Sequence, residues 1–505
     1  MTGQWRDLEL GFTMDFRFAG VDESAAPAAL APALAAMAAI EGGAIANVDE
    51  SRAVGHYWLR APELAPGALG AEIEEVREAC RKLAAAVHAE RRFTALLVLG
   101  IGGSALGPQL VADALGEPHD RMRVVFVDNT DPDGFARIVG LLDLSETLVL
   151  CISKSGTTPE TRNALVETEA AFERAGIALP PQAIAITGVG SVLWEAAATW
   201  RARLPMWDWV GGRTSVTSAV GLLPAFLQGV EVDELLAGAA AMDAATRNPD
   251  YAANPAARLA WAWHHLSGAG RNTRAMVLLP YRDRLVLISR YLQQLVMESL
   301  GKTLDRAGQP VRSGLTVYGN KGSTDQHAYV QQLRDGPDDH FVTFVAVQDD
   351  GWYGASEVEP GVDAGDYLQG LFLGTRRALH EAGHPSLTIT LSQLDAFRLG
   401  GVIALYERAV GLLAELLNVN AYHQPGVEAG KKAAAAVLAL KPRLLAALAE
   451  GEGTADSLLE RIGVSGDAHT RAAAHAILAR LAANERGVST TPGTTPELDV
   501  FRARD

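Results

Sequence analysis

A mainly parallel α/β fold with helices on both faces of its sheets is predicted by three features of this sequence. Four short apolar runs, at 95–99, 123–127, 147–152 and 183–187, recur at intervals wide enough to hold a helix between each. Uniform apolarity, as opposed to strict alternation, marks strands that are buried on both faces. A second array, at 275–279, 315–318, 341–347 and 387–391, follows a polar and Ala-rich helical stretch and repeats the pattern. Two strands of the first array run directly into loops of small residues, GIGGSALGPQL from Gly100 and SKSGTTPET from Ser153, which have the composition of tight strand-to-helix turns.

Taken in order, residues 1–70 read as an N-terminal helical segment containing an Ala-rich helix at 25–40. A charged amphipathic helix at 71–90 opens a first sheet subdomain, 71–230, and the second array occupies a second subdomain, 231–432. Within the second subdomain, 351–365 is acidic and Gly-containing and reads as a surface loop, whereas 395–417 reads as one long helix. Residues 433–505 read as a helical extension, with a patch at 467–483, followed by a polar tail that carries no visible chemistry.

Composition narrows the class. A chain of 505 residues with 48% hydrophobic content is long enough for two or three cores. Its formal charge of -16 argues against a general nucleic-acid binder, which needs Lys and Arg to displace phosphate counterions. Two cysteines, Cys80 and Cys151, make no disulfide framework and fit a reducing cytoplasm. The opening MTGQWRDLELGF lacks the basic-then-apolar order of a secretory signal, and no run of about eighteen apolar residues appears, so no membrane partner is expected.

The loop after the 147–152 strand is the strongest chemical signal. Ser153, Ser155, Thr157 and Thr158 place four hydroxyls within six residues, Gly156 permits a tight turn and Lys154 adds positive charge. Pro159 and Glu160 suit the first turn of a helix whose unpaired N–H groups would face the loop, an arrangement that favours a phosphate dianion. Gly100, Gly102 and Ala105 also satisfy a loose G-x-G-x-x-A dinucleotide pattern, with Asp128 placed as a ribose-binding acid, so an NAD-dependent dehydrogenase is a rival. A dinucleotide has no use for the second loop, whereas a sugar phosphate can use both, with Gly103 and Ser104 contributing from the first.

GIGGSALG and SKSGTTPET are followed, in order, by GGRTSVTSAVGLLP from Gly211, QQLVMESLGK from Gln293, GNKGSTDQHAY from Gly319 and YHQPGVEAGKK from Tyr422. These six blocks, spanning residues 100–432, resemble the glucose-6-phosphate isomerase family in a bacterial form. SKSGTT stands where many members have SKTFTT, Leu300 where Asn is common, STDQH where others have TNGQH, and His423 where Asp is frequent. The resemblance implies two sugar-isomerase (SIS) type subdomains, each a mainly parallel sheet flanked by helices. It also implies interconversion of glucose 6-phosphate and fructose 6-phosphate with no cofactor, and a homodimer.

Residue type alone leaves each candidate open. Glu298 lies four residues after Gln294 on a helix expected at 285–302, and would ordinarily be a solvated carboxylate paired with Lys302. The resemblance makes Glu298 the base that moves a proton between C1 and C2 through a cis-enediol, with Gln294 as a substrate-binding neighbour. His327 would ordinarily be a surface or turn-capping histidine; the resemblance assigns it to ring opening. Lys431 is by type one of two adjacent solvated lysines, and the resemblance places it near the ring oxygen, with Gln424 as a second substrate-binding glutamine. Arg213 could simply cap or pair, yet the family places it beside the developing enediolate as a fixed cation. The twelve histidines show no H-x-x-E-H or clustered Cys/His spacing, so no metal is expected. A non-catalytic sugar-phosphate sensor is the second rival, and it has no use for Glu298, His327 and Lys431 together.

Overall fold

The computed structural model describes residues 3–351 and 353–504; the side chains of residues 427–429 and 431 lie outside the described set. Two compact units, residues 1–423 and 424–505, divide the chain.

The first unit opens on a hairpin, β1 (Gln4–Asp7) and β2 (Phe12–Asp15), where a helical segment was expected. The reason is tertiary: β2 pairs antiparallel with a strand more than 370 residues later, and Phe12 and Met14 are buried in the same core as that strand. The expected Ala-rich helix follows at Ala26–Glu41.

The first sheet contains β3 (Ala95–Leu99), β4 (Arg123–Val127), β5 (Thr147–Ser153), β6 (Ala183–Thr187) and β7 (Ala202–Pro205), in the order β4-β3-β5-β6-β7. All its pairings are parallel. Every residue of β3, β5 and β6 is buried, which is why these strands read as unbroken apolar runs. The chain leaves β3 toward β4 on one side and returns to β5 on the other. The carboxyl ends of β3 and β5 therefore flank a topological switch point, where open α/β sheets form a crevice. The GIGGSALG and SKSGTT loops leave from those two ends.

The second sheet centres on β8 (Ala275–Pro280). A short antiparallel pair, β9 (Lys302–Leu304) and β10 (Pro310–Ser313), leads into β11 (Val317–Tyr318), which lies parallel to β8. β12 (His340–Val347) covers the other side of β8 and is joined in parallel by the last main strand. Between them, the acidic stretch expected as a loop carries a small hairpin, β13 (Glu357–Glu359) and β14 (Val362–Asp363); the last main strand is β15 (Ser386–Leu391). The full order is β1-β2-β15-β12-β8-β11. The long helix expected after it is Ala396–Leu416, capped by Asp395, whose side chain accepts from the Arg398 N–H at 2.8 Å.

In the second unit, helices Pro425–Glu450, Ala455–Arg461 and Ala468–Ala483 share an apolar core with Val488 and Phe501. The polar tail is structured: β16 (Val488–Thr491) pairs antiparallel with β17 (Val500–Ala503). The first of these helices runs across residue 432, so residues 424–432 group with the C-terminal region and not with the second sheet. No helix among the described residues is long and apolar enough to cross a membrane.

Candidate active site

The loop after β5 is shaped by Gly156, whose φ is +69° and whose Cα faces the Leu193 backbone so closely that a Cβ would lie 2.5 Å from the Leu193 nitrogen. Only glycine fits that turn. The chain then enters helix Pro159–Arg174 with Pro159 in its first turn, as the sequence predicts. Thr158 occupies the N-cap but accepts nothing from the helix. Instead, the Ser153 hydroxyl donates to Thr158 Oγ1 at 3.2 Å, and the Thr157 N–H and hydroxyl both donate to Ser155 Oγ, at 3.2 and 3.0 Å. Ser155 and Thr157 are exposed. The four hydroxyls thus form a small cluster at the open end of a helix.

Lys154 points elsewhere. Its ammonium donates to the carbonyls of Asp208 and Val210, at 2.9 and 3.1 Å, and the Asp208 carbonyl also accepts from Arg52 at 2.8 Å. Burial first, and then the Arg52 charge, pull the Lys154 amine down to about 8. Among the described residues it makes no bond to the hydroxyl cluster.

The loop after β3 is held by two contacts that explain its glycines. Gly102 has φ +58°, and a Cβ there would sit 3.0 Å from Gln294 Nε2; a Cβ on Gly103 would sit 1.9 Å from the Gly212 carbonyl oxygen. The loop is therefore packed between Gln294 and the GGRTS turn, with Ser104 buried beneath it. Asp128, the candidate ribose ligand, accepts from Gln109 Nε2 at 2.9 Å. The glycines serve close packing of protein on protein, so the dinucleotide reading loses its structural basis.

Arg213 lies in the short helical turn Gly212–Thr214 and is buried. Its Nε donates to Ser299 Oγ at 2.7 Å, and its Nη2 donates to the Ala421 carbonyl and, at 3.3 Å, to that of His423. Nη1 lies 3.4 Å from Glu298 Oε2, an oxygen that is buried without a hydrogen-bond partner among the described residues. The guanidinium is thus anchored on a hydroxyl and two carbonyls, and it meets the carboxylate only at long range. Burial pulls Arg213 below its ordinary value, and the Glu298 charge offsets part of that.

Glu298 stands on a helical stretch from Ile288 whose middle, Gln293–Glu298, is π-helical and not the regular α-helix the sequence predicts. The wider turns keep Gln294 and Glu298 on one side, and such insertions are frequent at functional sites. Lys302 begins β9 and does not pair with the Glu298 carboxylate. Its ammonium donates to the Glu298 backbone carbonyl at 2.7 Å and to the His423 carbonyl at 2.9 Å. Burial and the neighbouring Arg213 bring Lys302 down to about 8. Lys302 and Arg213 together fix the 421–423 segment against the Glu298 helix. Sequence reading misses this joint, because Lys302 enters it only as an ordinary partner for the Glu298 carboxylate.

The structure therefore brings together Gly103, Ser104, Gln294, Arg213 and Glu298, with the Ser153, Ser155, Thr157 and Thr158 cluster at the neighbouring strand end. His327 closes a short helical turn, Thr324–His327, and is exposed, with no hydrogen bond or ion pair among the described residues. Gln424 precedes helix Pro425–Glu450 in the second unit. The side chain of Lys431 lies outside the described residues.

Two mainly parallel sheets, the first with small-residue loops at its switch point beside a carboxylate and an anchored guanidinium, suit a sugar-phosphate isomerase. A family model for phosphoglucose isomerase matches residues 28–352 and 372–456. The chain belongs to that family. It is 59% identical over 422 residues to glucose-6-phosphate isomerase of Geobacter sp. (strain M21), covering 81% of this chain and 79% of that one. It is 54% identical over 485 residues to the enzyme of that name from Citrifermentans bemidjiense, covering 93% and 91%. Among solved structures, glucose-6-phosphate isomerase from Chlamydia trachomatis superposes with a TM-score of 0.80 at 27% identity, covering 87% of this chain and 90% of that one.

Proposed function

We infer that this enzyme interconverts glucose 6-phosphate and fructose 6-phosphate through a cis-enediol, with Glu298 as the base. The carrying observation is the contrast within one pair: Arg213 is anchored through Nε and Nη2, whereas Glu298 Oε2 is buried, makes no hydrogen bond among the described residues and lies 3.4 Å from Nη1. A carboxylate left this way can take a proton from C2 and return it to C1. The fixed guanidinium lowers the cost of negative charge on the enediolate between the two transfers.

The hydroxyl cluster of Ser153, Ser155, Thr157 and Thr158, with the open helix end at Pro159, is suited to the phosphate, and Lys154 adds charge at a distance. Gly103, Ser104, Gln294 and Gln424 would bind the sugar; His327 and Lys431 would act on ring opening. The resemblance, not the geometry, supports the last two roles. A homodimer and a cytoplasmic location complete the proposal.

The test is cofactor-free conversion of glucose 6-phosphate, tritiated at C2, into fructose 6-phosphate by purified protein. Proton transfer through one carboxylate predicts partial arrival of label at C1, with the rest lost to water. Complete retention, together with near-normal turnover in Glu298→Gln, would sink the enediol route and its base.

A further inference from the structure

Behind Arg213 lies a cavity of about 30 Å³, lined by His56, Arg213, Ser299, Glu407 and Tyr422 among others. That is room for one or two ordered waters. His56 belongs to the short helical segment His56–Arg60 and is only 1% exposed, yet neither ring nitrogen has a hydrogen-bond partner among the described residues. Glu407 Oε1 and the Tyr422 hydroxyl, on the same cavity, are unpartnered as well. Four buried polar atoms around one small space make a site suited to water, because a buried donor or acceptor left unpaired is costly.

The charge around the cavity fixes the roles. Burial, and then the guanidiniums of Arg60, Arg408 and Arg213, hold His56 well below its ordinary value, so the ring is neutral and offers one donor and one acceptor. A neutral imidazole that shares a cavity with a guanidinium and a carboxylate can accept from water bonded to the first and donate to water bonded to the second. Tyr57 packs against the ring, with centroids 3.8 Å apart and the planes tilted by 40°, and limits its rotation.

Resting on the reading of Arg213 given above, we propose that His56 is a positioning residue: through water ordered in this cavity it holds the buried side of the Arg213 guanidinium in register with Glu298. His56 touches no substrate. Its effect is on where the catalytic cation sits, and a small misplacement of such a group is costly.

The test compares three variants of the full chain. His56→Phe keeps the ring volume and removes both nitrogens; it is expected to lower kcat by roughly ten- to a hundredfold while KM stays within about twofold. His56→Gln, which restores a donor and an acceptor, should recover kcat to within about threefold of the native enzyme. In an Arg213→Gln background the His56→Phe loss should collapse, since the residue it positions is gone. If Arg213→Gln is slow but His56→Phe turns over normally, the positioning role is wrong and the site reading stands. If Arg213→Gln itself turns over normally, the site reading falls. Should His56→Phe fail to fold, a high-resolution crystal structure of the native enzyme decides: water bonded to His56 on this cavity supports the role, and a dry cavity overturns it.

Discussion

Two arginine–carboxylate groupings lie close together in the first unit and are built in opposite ways. In the deeper one, Arg60 grips Asp243 with two donors, at 2.7 and 3.0 Å, and also donates to Glu407; Arg408 reaches the same Asp243 at 2.8 Å and extends to Glu41. The side chains of Arg60, Asp243 and Glu407 are wholly buried. At the other grouping, Arg213 is anchored on carbonyls and Ser299, and Glu298 Oε2 lies 3.4 Å from it. The same two residue types make a strut in one place and, on the function proposed above, a reactive pair in the other. What separates them is whether the carboxylate or the backbone takes the guanidinium's donors.

The sharpest way to break that comparison is to remove each carboxylate's charge in turn. Glu298→Gln should lower kcat by about 10² to 10⁴, the usual contribution of a positioned base, and change stability by only about 1–2 kcal/mol, because its contact with Arg213 is long and the guanidinium keeps its hydroxyl and carbonyl partners. Asp243→Asn should do the reverse. Removing one member of a buried, multiply bonded cluster costs about 3–5 kcal/mol, which urea unfolding would register, while the folded fraction keeps nearly normal turnover. A stable Asp243→Asn, or an active Glu298→Gln, would erase the distinction drawn here.

Sequence made one grouping legible and hid the other. Glu298, Arg213 and the hydroxyl loop lie in motif blocks, and the buried strands announce themselves because a parallel strand covered on both faces has no polar positions. The strut draws on Glu41, Arg60, Asp243 and the Glu407–Arg408 pair, four segments spread over the first unit, each of which would read alone as a solvated charge. Nothing local tells a buried guanidinium from an exposed one. The β1–β2 hairpin was illegible for a related reason: QWRD and FTMD are short, and become strands only against β15. The π-turn at 293–298 escaped because hydrophobic periodicity over so short a stretch does not resolve it, and the direction of Lys302 toward carbonyls is a choice of rotamer.

A third prediction concerns the hydroxyl cluster, where every partner is neutral. Ser155→Ala combined with Thr158→Ala removes two donors to a dianion, each worth roughly 1.5–3 kcal/mol and less than additive together. KM for fructose 6-phosphate should rise by roughly tenfold or more with the fold intact, and free fructose should compete poorly with the native enzyme. An unchanged KM would move the phosphate site elsewhere.

The smallest effect tests the strut's own weak point. Asp243 is held well below the usual carboxylate range: burial pushes it up, but Arg408 and Arg60 outweigh that. Glu407 shares Arg60 with it, and burial raises Glu407 to about 7. Between its ordinary value near 4.5 and about 7, the folded chain holds a proton on Glu407 that the unfolded chain has released. Folding is therefore favoured at the acid end of that window, and this contribution falls as pH rises, by at most about 1.4 kcal/mol per pH unit, before levelling above about 7. Glu407→Gln cannot titrate. The difference in urea stability between native protein and Glu407→Gln should shift against the native chain from pH 5 to 7 and then stay flat. His56, held well below its ordinary value in the folded chain, gives a slope of the opposite sign that native protein and variant share, and burial places Lys154 and Lys302 near 8, above the window, so none of them mimics the slope. A difference independent of pH would mean that Arg60 serves both carboxylates fully, and that the strut has no weak member.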